Sequence, residues 1–246
     1  MRNIVLRGTT LTVLMIFIFA TPMHGAELRI SIAASMTELF RDLITSFVEQ
    51  YPEVRIIPNF GPSGGLAKQI HLGAPADIYV SANSRWMNFL AEHQKIENST
   101  KKTFAHNKLV FVGRPGGNIS SLADLSRLDR IGIGSPKSVP AGQYAQQALE
   151  KTGYYEKLLK GGKLVMAKDV RQALIYADRG ETGGSFVYKT DTFLAKHAVI
   201  LFEVPQKLYS RISYPLAITV QGKNNPEAKH FYEYLVSDSA AGIITR

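Results

Sequence analysis

The feature that most constrains the fold is a regular alternation of strand-like and helix-like segments along the chain. Residues 28–34 form a short apolar run typical of a buried strand, and apolar residues then recur at helical spacing over 39–48. Further strand patterns lie at 54–60, 78–81, 108–112, 131–133, 185–188, 198–202 and 216–220, and further helix patterns lie at 66–72, 85–93, 141–151, 169–178 and 226–236. This alternation predicts an α/β fold in which helices cover the faces of the sheets.

The first 26 residues have the pattern of a secretory signal peptide. Arg2 and Arg7 precede an apolar stretch at 11–20, and the small residues Gly25 and Ala26 follow it. A membrane-spanning helix needs about 20 apolar residues, roughly twice the length of this stretch. We therefore expect residues 1–26 to be removed and the remaining chain to be an exported, soluble periplasmic protein without a membrane anchor.

Composition narrows the class of function. The chain has no Cys, which excludes a disulfide framework, a zinc ribbon, a Cys nucleophile and a lipid-modified Cys. Its six His do not pair at helical spacing, so no cation site is expected. Lys and Arg total 29 against 20 Asp and Glu, a balance that favours anionic partners. These basic residues are scattered rather than interleaved with aromatic residues, which argues against nucleic acid.

One motif raises an enzymatic alternative. Residues 61–65, GPSGG, match the G-x-S-x-G pattern of serine hydrolases and lie between a predicted strand and a predicted helix. Ser63 would be the nucleophile, with His197 or His230 as the base and Asp191 as its partner. Only two predicted strands precede Ser63, however, and a tight turn or an anion-binding loop explains these glycines equally well.

Four junctions share a different property, because a predicted strand ends and a predicted helix begins at each of them. They lie at Ser35, at residues 63–65, at residues 140–142 and at residues 169–170. The pattern SMTE at 35–38 further predicts a capping box, with Ser35 as the cap and Glu38 reaching back. Helix N-termini present free N–H groups and positive dipole ends, so their convergence would form an anion site without buried Lys or Arg. Ordinary helix caps are the alternative interpretation.

Motifs at these junctions, together with others along the chain, resemble those of a known family. They are AASMT at 33–37, Ser63 with LAKQI at 66–70, GAPAD at 73–77, SA at 81–82, WM at 86–87, VPAG at 139–142, YA at 144–145, DVR at 169–171, AL at 173–174, VY at 187–188 with Asp191, and YP at 214–215. In this order they resemble the periplasmic molybdate-binding proteins of ABC importers. Because the set spans nearly the whole mature chain, it is far more specific than any single motif.

The resemblance implies a two-lobed α/β fold of the type II periplasmic-binding-protein kind, with mixed sheets flanked by helices and a ligand cleft between the lobes. Residues 27–105 with 212–246 would form lobe I, and residues 106–211 would form lobe II. The resemblance implies five ligand contacts. Ser35 and Ser63 would each donate a hydroxyl and a backbone N–H, Ala141 and Val170 a backbone N–H, and Tyr188 its phenol.

The implied function is capture of molybdate or tungstate and delivery to the membrane permease of an ABC importer. The protein would be a monomer, without enzymatic activity and without a cofactor beyond the transported ion. Molybdate, tungstate and sulfate are unprotonated dianions near neutral pH and suit a site made only of donors, whereas phosphate retains part of its protons and favours a carboxylate acceptor. Another tetrahedral oxyanion such as sulfate is therefore the alternative ligand.

Overall fold

The computed structural model describes residues 27–244, so the predicted signal peptide lies outside the described residues. The strands of the described range are β1 (Glu27–Ala33), β2 (Arg55–Gly61), β3 (Ile78–Val80), β4 (Lys102–Asn107), β5 (Leu109–Gly113), β6 (Ile131–Gly134), β7 (Leu164–Ala167), β8 (Gly184–Tyr188), β9 (Val199–Glu203) and β10 (Ile212–Ile218). Its α-helices are α1 (Thr37–Gln50), α2 (Ser63–His71), α3 (Ser84–Glu92), α4 (Pro140–Lys151), α5 (Tyr155–Lys160), α6 (Val170–Arg179), α7 (Pro226–Leu235) and α8 (Asp238–Ile244). Over this range we find no helix with the length and apolar character needed to cross a bilayer.

The strands form two five-stranded mixed sheets of matching topology. The first has the order β2-β1-β3-β10-β4, and the second has the order β7-β6-β8-β5-β9. In each sheet the first three strands are parallel, and the fourth runs antiparallel to both of its neighbours. The predicted α/β architecture of two mixed sheets flanked by helices is thus confirmed.

Two segments carry the chain between the sheets. The first crossing is a single residue, Lys108, which separates β4 in the first sheet from β5 in the second. The second crossing, residues 204–211, leads from β9 back to β10. Each sheet has its own aromatic packing, with Phe47 edge-on to Phe231 at 4.9 Å in the first and Phe111 edge-on to Phe186 at 4.9 Å in the second. Each sheet therefore has aromatic packing that does not depend on the other.

The structure differs from the sequence prediction in several elements. Strand β4 and two short helices, α5 and α8, were not predicted, and β7 was implied only by the junction at residues 169–170, without bounds. Strand β10 begins at Ile212 rather than at residue 216, and it accommodates Pro215 through a register shift between Tyr214 and Pro215. Residues 61–65 do not form the predicted tight loop, because α2 already begins at Ser63 and contains both following glycines.

Candidate ligand site between the two sheets

The structure brings all five predicted site residues to one cavity. Ser35, Ser63, Ala141, Val170 and Tyr188 all line it. They lie at the carboxyl ends of β1, β2, β6, β7 and β8, so both sheets contribute to the cavity wall. The cavity volume is about 10 Å³, close to the space of a single water molecule. The two sheets therefore meet around a nearly closed site.

Ser63 is the first residue of α2 and is almost fully buried. Its hydroxyl oxygen accepts a hydrogen bond from the Ala82 N–H at 3.0 Å, and its carbonyl accepts one from the Tyr79 phenol at 2.8 Å. Because the hydroxyl oxygen acts as an acceptor there, its own proton remains for another partner. Ser63 is thus held rigidly with one donor still available.

Ser35 corrects the predicted capping box. A single turn of 3-10 helix, Ala34–Met36, precedes α1, so the N-cap of α1 is Met36 and no side chain caps it. Glu38 does not reach back, because its carboxylate pairs with Arg171. The Ser35 Oγ is buried without a hydrogen-bond partner in the described part of the chain. The Tyr214 phenol lies beside it without the geometry of a hydrogen bond.

In the second sheet two of the three predicted contacts, Ala141 and Val170, are backbone groups. Helix α4 begins at Pro140 without a side-chain cap, and α6 begins at Val170 behind Asp169, whose Oδ1 accepts from the Gln172 N–H at 2.8 Å. The first N–H groups of a helix lack intrahelical acceptors. Within residues 27–244 the backbone N–H groups of Ala141 and Val170 have no hydrogen-bond acceptor. Both are therefore free to donate into the cavity.

Tyr188 ends β8 and is fully buried. Its phenol donates to the Ala82 carbonyl over a long 3.4 Å, and its N–H donates to Asp191 Oδ2 at 3.0 Å. Burial raises the pKa of the Tyr188 phenol well above its ordinary value. The phenol therefore stays protonated at neutral pH and remains a donor.

Neutral groups dominate the cavity wall. Among the described residues that line it, there is no Lys, Arg or His. Asp169 is the acidic residue on the wall, and its carboxylate caps α6. Hydrogen bonds from preorganised neutral groups can hold an anion without the cost of burying a compact cation. The arrangement is therefore suited to a fully deprotonated oxyanion.

The residues of the hydrolase alternative are not brought together. His230 packs against Tyr51 with ring centroids 4.2 Å apart, and the His197 N–H donates to Asp178. Asp191 accepts the Tyr188 N–H rather than orienting a His. The Ser-His-Asp interpretation is therefore not favoured. Residues 27–244 also contain no group of three or more His, Asp or Glu placed to hold a metal ion.

Contacts across the cleft were not predicted from the sequence. The Gly64 N–H donates to the Ser138 carbonyl at 3.0 Å, and the Asn83 side chain donates to Gln143 at 2.6 Å. A Cβ atom on Gly64 would lie 2.5 Å from the Trp86 ring and 2.8 Å from the Ser138 oxygen. The available sequence signal was the glycine pair at 64–65, where the structure requires glycine at position 64 because of this close approach.

A charged cluster lies behind the cavity. Asp191 is fully buried, and burial raises the pKa of its carboxyl to about 7, although the Arg171 guanidinium and the Tyr188 N–H lower it. Arg171 Nε lies 3.6 Å from Asp191 Oδ1 and donates to the Ala34 carbonyl at 3.1 Å. This cluster therefore connects the two sheets next to the site.

Comparisons with known proteins identify the family of the chain. Residues 28–246 match the family described as bacterial extracellular solute-binding protein. The chain is 35% identical over 222 residues to the molybdate-binding protein ModA of Escherichia coli, covering 87% of this chain and 85% of that protein. It is 32% identical over 228 residues to ModA of Haemophilus influenzae, covering 89% of this chain and 88% of that protein.

Among solved structures, the fold matches the periplasmic molybdate-binding protein of Azotobacter vinelandii with a TM-score of 0.78 and 23% identity. The match covers 89% of this chain and 96% of that one, so it extends over both sheets. The relatives named by these comparisons are binding proteins rather than enzymes. The chain belongs to the bacterial extracellular solute-binding protein family, and the resemblance of its motifs to the periplasmic molybdate-binding proteins is confirmed.

Proposed function

We propose that this protein captures molybdate or tungstate in the cavity between its sheets and delivers the ion to the membrane permease of an ABC importer. The observation that carries the proposal is the unpaired, buried Ser35 hydroxyl in a cavity lined by further free donors. Buried polar groups in proteins are almost always hydrogen-bonded, so an unpaired hydroxyl at this position calls for a partner. A bound oxyanion supplies that partner.

The ligand contacts in this proposal are the five residues that the motifs indicate. Ser35 and Ser63 donate hydroxyl and backbone N–H groups from one side, and Ala141 and Val170 donate backbone N–H groups from the other. Tyr188 exchanges its long bond to the Ala82 carbonyl for a bond to the ion. A set made only of donors suits a tetrahedral dianion that accepts at every oxygen and donates at none.

The lobes of this proposal are residues 27–105 with 212–246, and residues 106–211. Sheet membership supports this division, because β1–β4 and β10 form one sheet and β5–β9 form the other. Strand β4 extends to Asn107, so the first hinge would be centred on Lys108. The two lobes would open about these crossings to admit the ion, as hinged binding proteins do.

The proposal also assigns a location and an assembly. The N-terminal pattern at 1–26 supports export to the periplasm, where a binding protein would meet the permease. In this proposal the exported chain acts as a monomer, since both walls of the cavity come from one chain. The transported ion is its ligand, and no cofactor is needed.

Calorimetry on residues 27–246 tests the proposal with molybdate, tungstate, sulfate and phosphate. We expect saturable binding of molybdate and tungstate with one ion per chain, and no binding of phosphate at matched concentration. An ester substrate added in parallel should not be turned over. Saturable binding of sulfate without binding of molybdate or tungstate would contradict the proposed ligand, and turnover that disappears in Ser63→Ala would support the hydrolase.

A further inference from the structure

We propose that Arg171 is a positioning residue that locks the closed cleft and directs the Ser35 peptide N–H towards the ion. This inference rests on the proposed function. Arg171 follows Val170 in the first turn of α6, yet its guanidinium bonds to groups that belong to lobe I. It therefore joins two proposed ligand contacts from opposite sides of the cleft.

Two contacts hold the guanidinium to lobe I. Its Nε donates to the Ala34 carbonyl at 3.1 Å, and one of its terminal nitrogens pairs with the Glu38 carboxylate. The Arg171 side chain is only 20% exposed, although that of its partner Glu38 is 47% exposed. Both partners lie at the start of α1, next to Ser35. Such contacts require the two lobes to be closed.

The Ala34 carbonyl and the Ser35 N–H belong to the same peptide group. In a trans peptide the two point in opposite directions, so a donor that fixes the carbonyl also fixes the direction of the N–H. Hydrogen bonding at the carbonyl also polarises the peptide and strengthens its N–H as a donor. The Thr37 hydroxyl donates to the same carbonyl at 2.7 Å from within lobe I. The Thr37 backbone N–H donates to it as well, so Arg171 adds a further donor, which comes from lobe II and is present only in the closed form.

Arg171 also reaches the rest of the site within lobe II. Asp191 accepts the Tyr188 N–H through Oδ2, and its Oδ1 lies 3.6 Å from Arg171 Nε. The guanidinium thus reaches the backbone of Ser35 through the Ala34 carbonyl and that of Tyr188 through Asp191. Val170 is the residue that precedes Arg171 in the chain. A change at Arg171 should affect three of the five proposed ligand contacts.

The charge balance argues for a positional role rather than simple attraction of the anion. One guanidinium faces two carboxylates, those of Glu38 and Asp191, so the cluster has no surplus positive charge. Arginine also presents its donors in a planar fork, whereas the lysine ammonium is a compact charge that cannot hold the same partners in the same geometry. Positioning therefore depends on the guanidinium and not on the charge alone.

The experiment measures how fast radiolabelled molybdate leaves residues 27–246 after addition of excess unlabelled molybdate, together with the association rate. Arg171→Gln should accelerate dissociation about 10-fold or more, because the variant lacks charge-assisted bonds of the closed form. Association should change by less than about two-fold, because it starts from the open form. Weakened folding alone would not produce this division between the two rates.

Arg179→Gln is the matched control, because Arg179 lies at the other end of α6, with 71% of its side chain exposed and a loose 3.9 Å pair with Glu181. It should release molybdate at the wild-type rate. Arg171→Lys should release molybdate about as fast as Arg171→Gln, although lysine keeps the positive charge. Glu38→Gln removes a carboxylate that is 47% exposed and leaves the Arg171 guanidinium beside Asp191. It should accelerate release about three-fold, and it tests the inference where Arg171→Gln does not fold.

Three results would overturn the inference. The first is a folded Arg171→Gln protein that releases molybdate no faster than Arg179→Gln. Where Arg171→Gln does not fold, the equivalent result is a Glu38→Gln protein that releases molybdate at the wild-type rate. The second is wild-type release by Arg171→Lys, which would show that charge alone suffices. The third is a wild-type chain and an Arg179→Gln control that both fail to bind molybdate and tungstate, which overturns the proposed function as well.

Discussion

Helices α2 and α6 occupy equivalent places in the two sheets, but they reach across the cleft by opposite means. Each follows the edge strand of its parallel trio, β2 or β7, and the first residue of each lines the cavity. The second residue of each bonds to the first strand-to-helix junction of the opposite sheet. In α2 this residue is Gly64, whose N–H reaches the Ser138 carbonyl, and in α6 it is Arg171, whose guanidinium reaches the Ala34 carbonyl.

The difference shows how one topology can support two kinds of closure contact. At Gly64 the backbones meet directly, so the contact depends on the absence of a side chain. At Arg171 the side chain spans the distance, so the contact depends on its length and charge. The proposed ligand donors differ as well, since lobe I supplies serine hydroxyls whereas lobe II supplies the bare N–H groups of Ala141 and Val170 besides the Tyr188 phenol. Side-chain substitutions therefore test the serines and Tyr188, whereas backbone substitutions are needed for Ala141 and Val170.

The largest expected effect is at Gly64. In Gly64→Ala the new Cβ would lie 2.5 Å from the Trp86 ring and 2.8 Å from the Ser138 carbonyl oxygen. Both groups would therefore have to move away from residue 64. Overpacking of this kind typically costs about 1–3 kcal/mol, and we expect molybdate affinity to fall about 100-fold by calorimetry. Gly65→Ala is the control, since its nearest neighbour is Pro62 Cγ at 3.1 Å on the same side of the cleft. Equal affinities of the two variants would show that the Gly64 contact does not govern closure.

The second prediction concerns the backbone donor of Val170. Proline is tolerated at the first position of a helix, and the extended backbone of Asp169 suits a residue that precedes proline. Val170→Pro should therefore fold but lose one donor to the ion, with about a 30-fold loss of affinity from a bond to a charged group worth about 2 kcal/mol. Val170→Ala keeps the N–H and should bind nearly as well as wild type. Equal binding by the two folded variants would remove Val170 N–H from the site.

The two serines should separate binding from stability. Ser35→Ala removes a hydroxyl that has no partner in the unliganded fold, so affinity should fall about 10-fold while the melting temperature of the free protein stays the same or rises. Ser63→Ala also leaves the Ala82 N–H without its acceptor, so it should lower both affinity and melting temperature. Calorimetry and thermal unfolding without ligand measure the pair. A large loss of stability in Ser35→Ala would show that its hydroxyl serves the fold.

The smallest expected effect is at Tyr188. Tyr188→Phe deletes only the phenol group, and the wild-type phenol must first give up its 3.4 Å bond to the Ala82 carbonyl, so the net loss should be about five-fold in affinity. Tyr232→Phe is the matched control, because it also loses a bond from a phenol to a carbonyl, that of Thr100 at 2.8 Å, away from the cavity. Unchanged affinity in Tyr188→Phe would make this residue a packing element.

Local pattern was enough to predict the α/β class, the strand-to-helix junction at residues 169–170 and most of the buried strands. Strand β4 was missed because its sequence, KTFAHN, mixes charged and apolar residues without a clear alternation, and β7 is only four residues long. The five proposed site residues came from family-like motifs, and all five line one cavity in the structure. Their common location follows from the carboxyl ends of parallel strands, which lie along one edge of each sheet.

The contacts between the lobes lay beyond sequence reasoning because they are non-local. Ala34 and Arg171 are separated by 137 positions, and no periodicity links them. The capping box at residues 35–38 was wrong for the same reason. Its local pattern was satisfied, but Glu38 pairs instead with a guanidinium from the other sheet. Tertiary pairing thus overrode a local preference worth only about 1 kcal/mol.

The packing of Trp86 against Gly64 has an optical consequence. Trp86 is the single tryptophan of the chain and is only 5% exposed. Its ring lies against the residue whose N–H bonds across the cleft, so opening of the lobes would change the polarity and quenching around one indole. Tryptophan emission, excited selectively over that of the 11 tyrosines, therefore has one origin, at the junction of the two lobes. The chain thus contains a built-in reporter of closure that needs no attached dye.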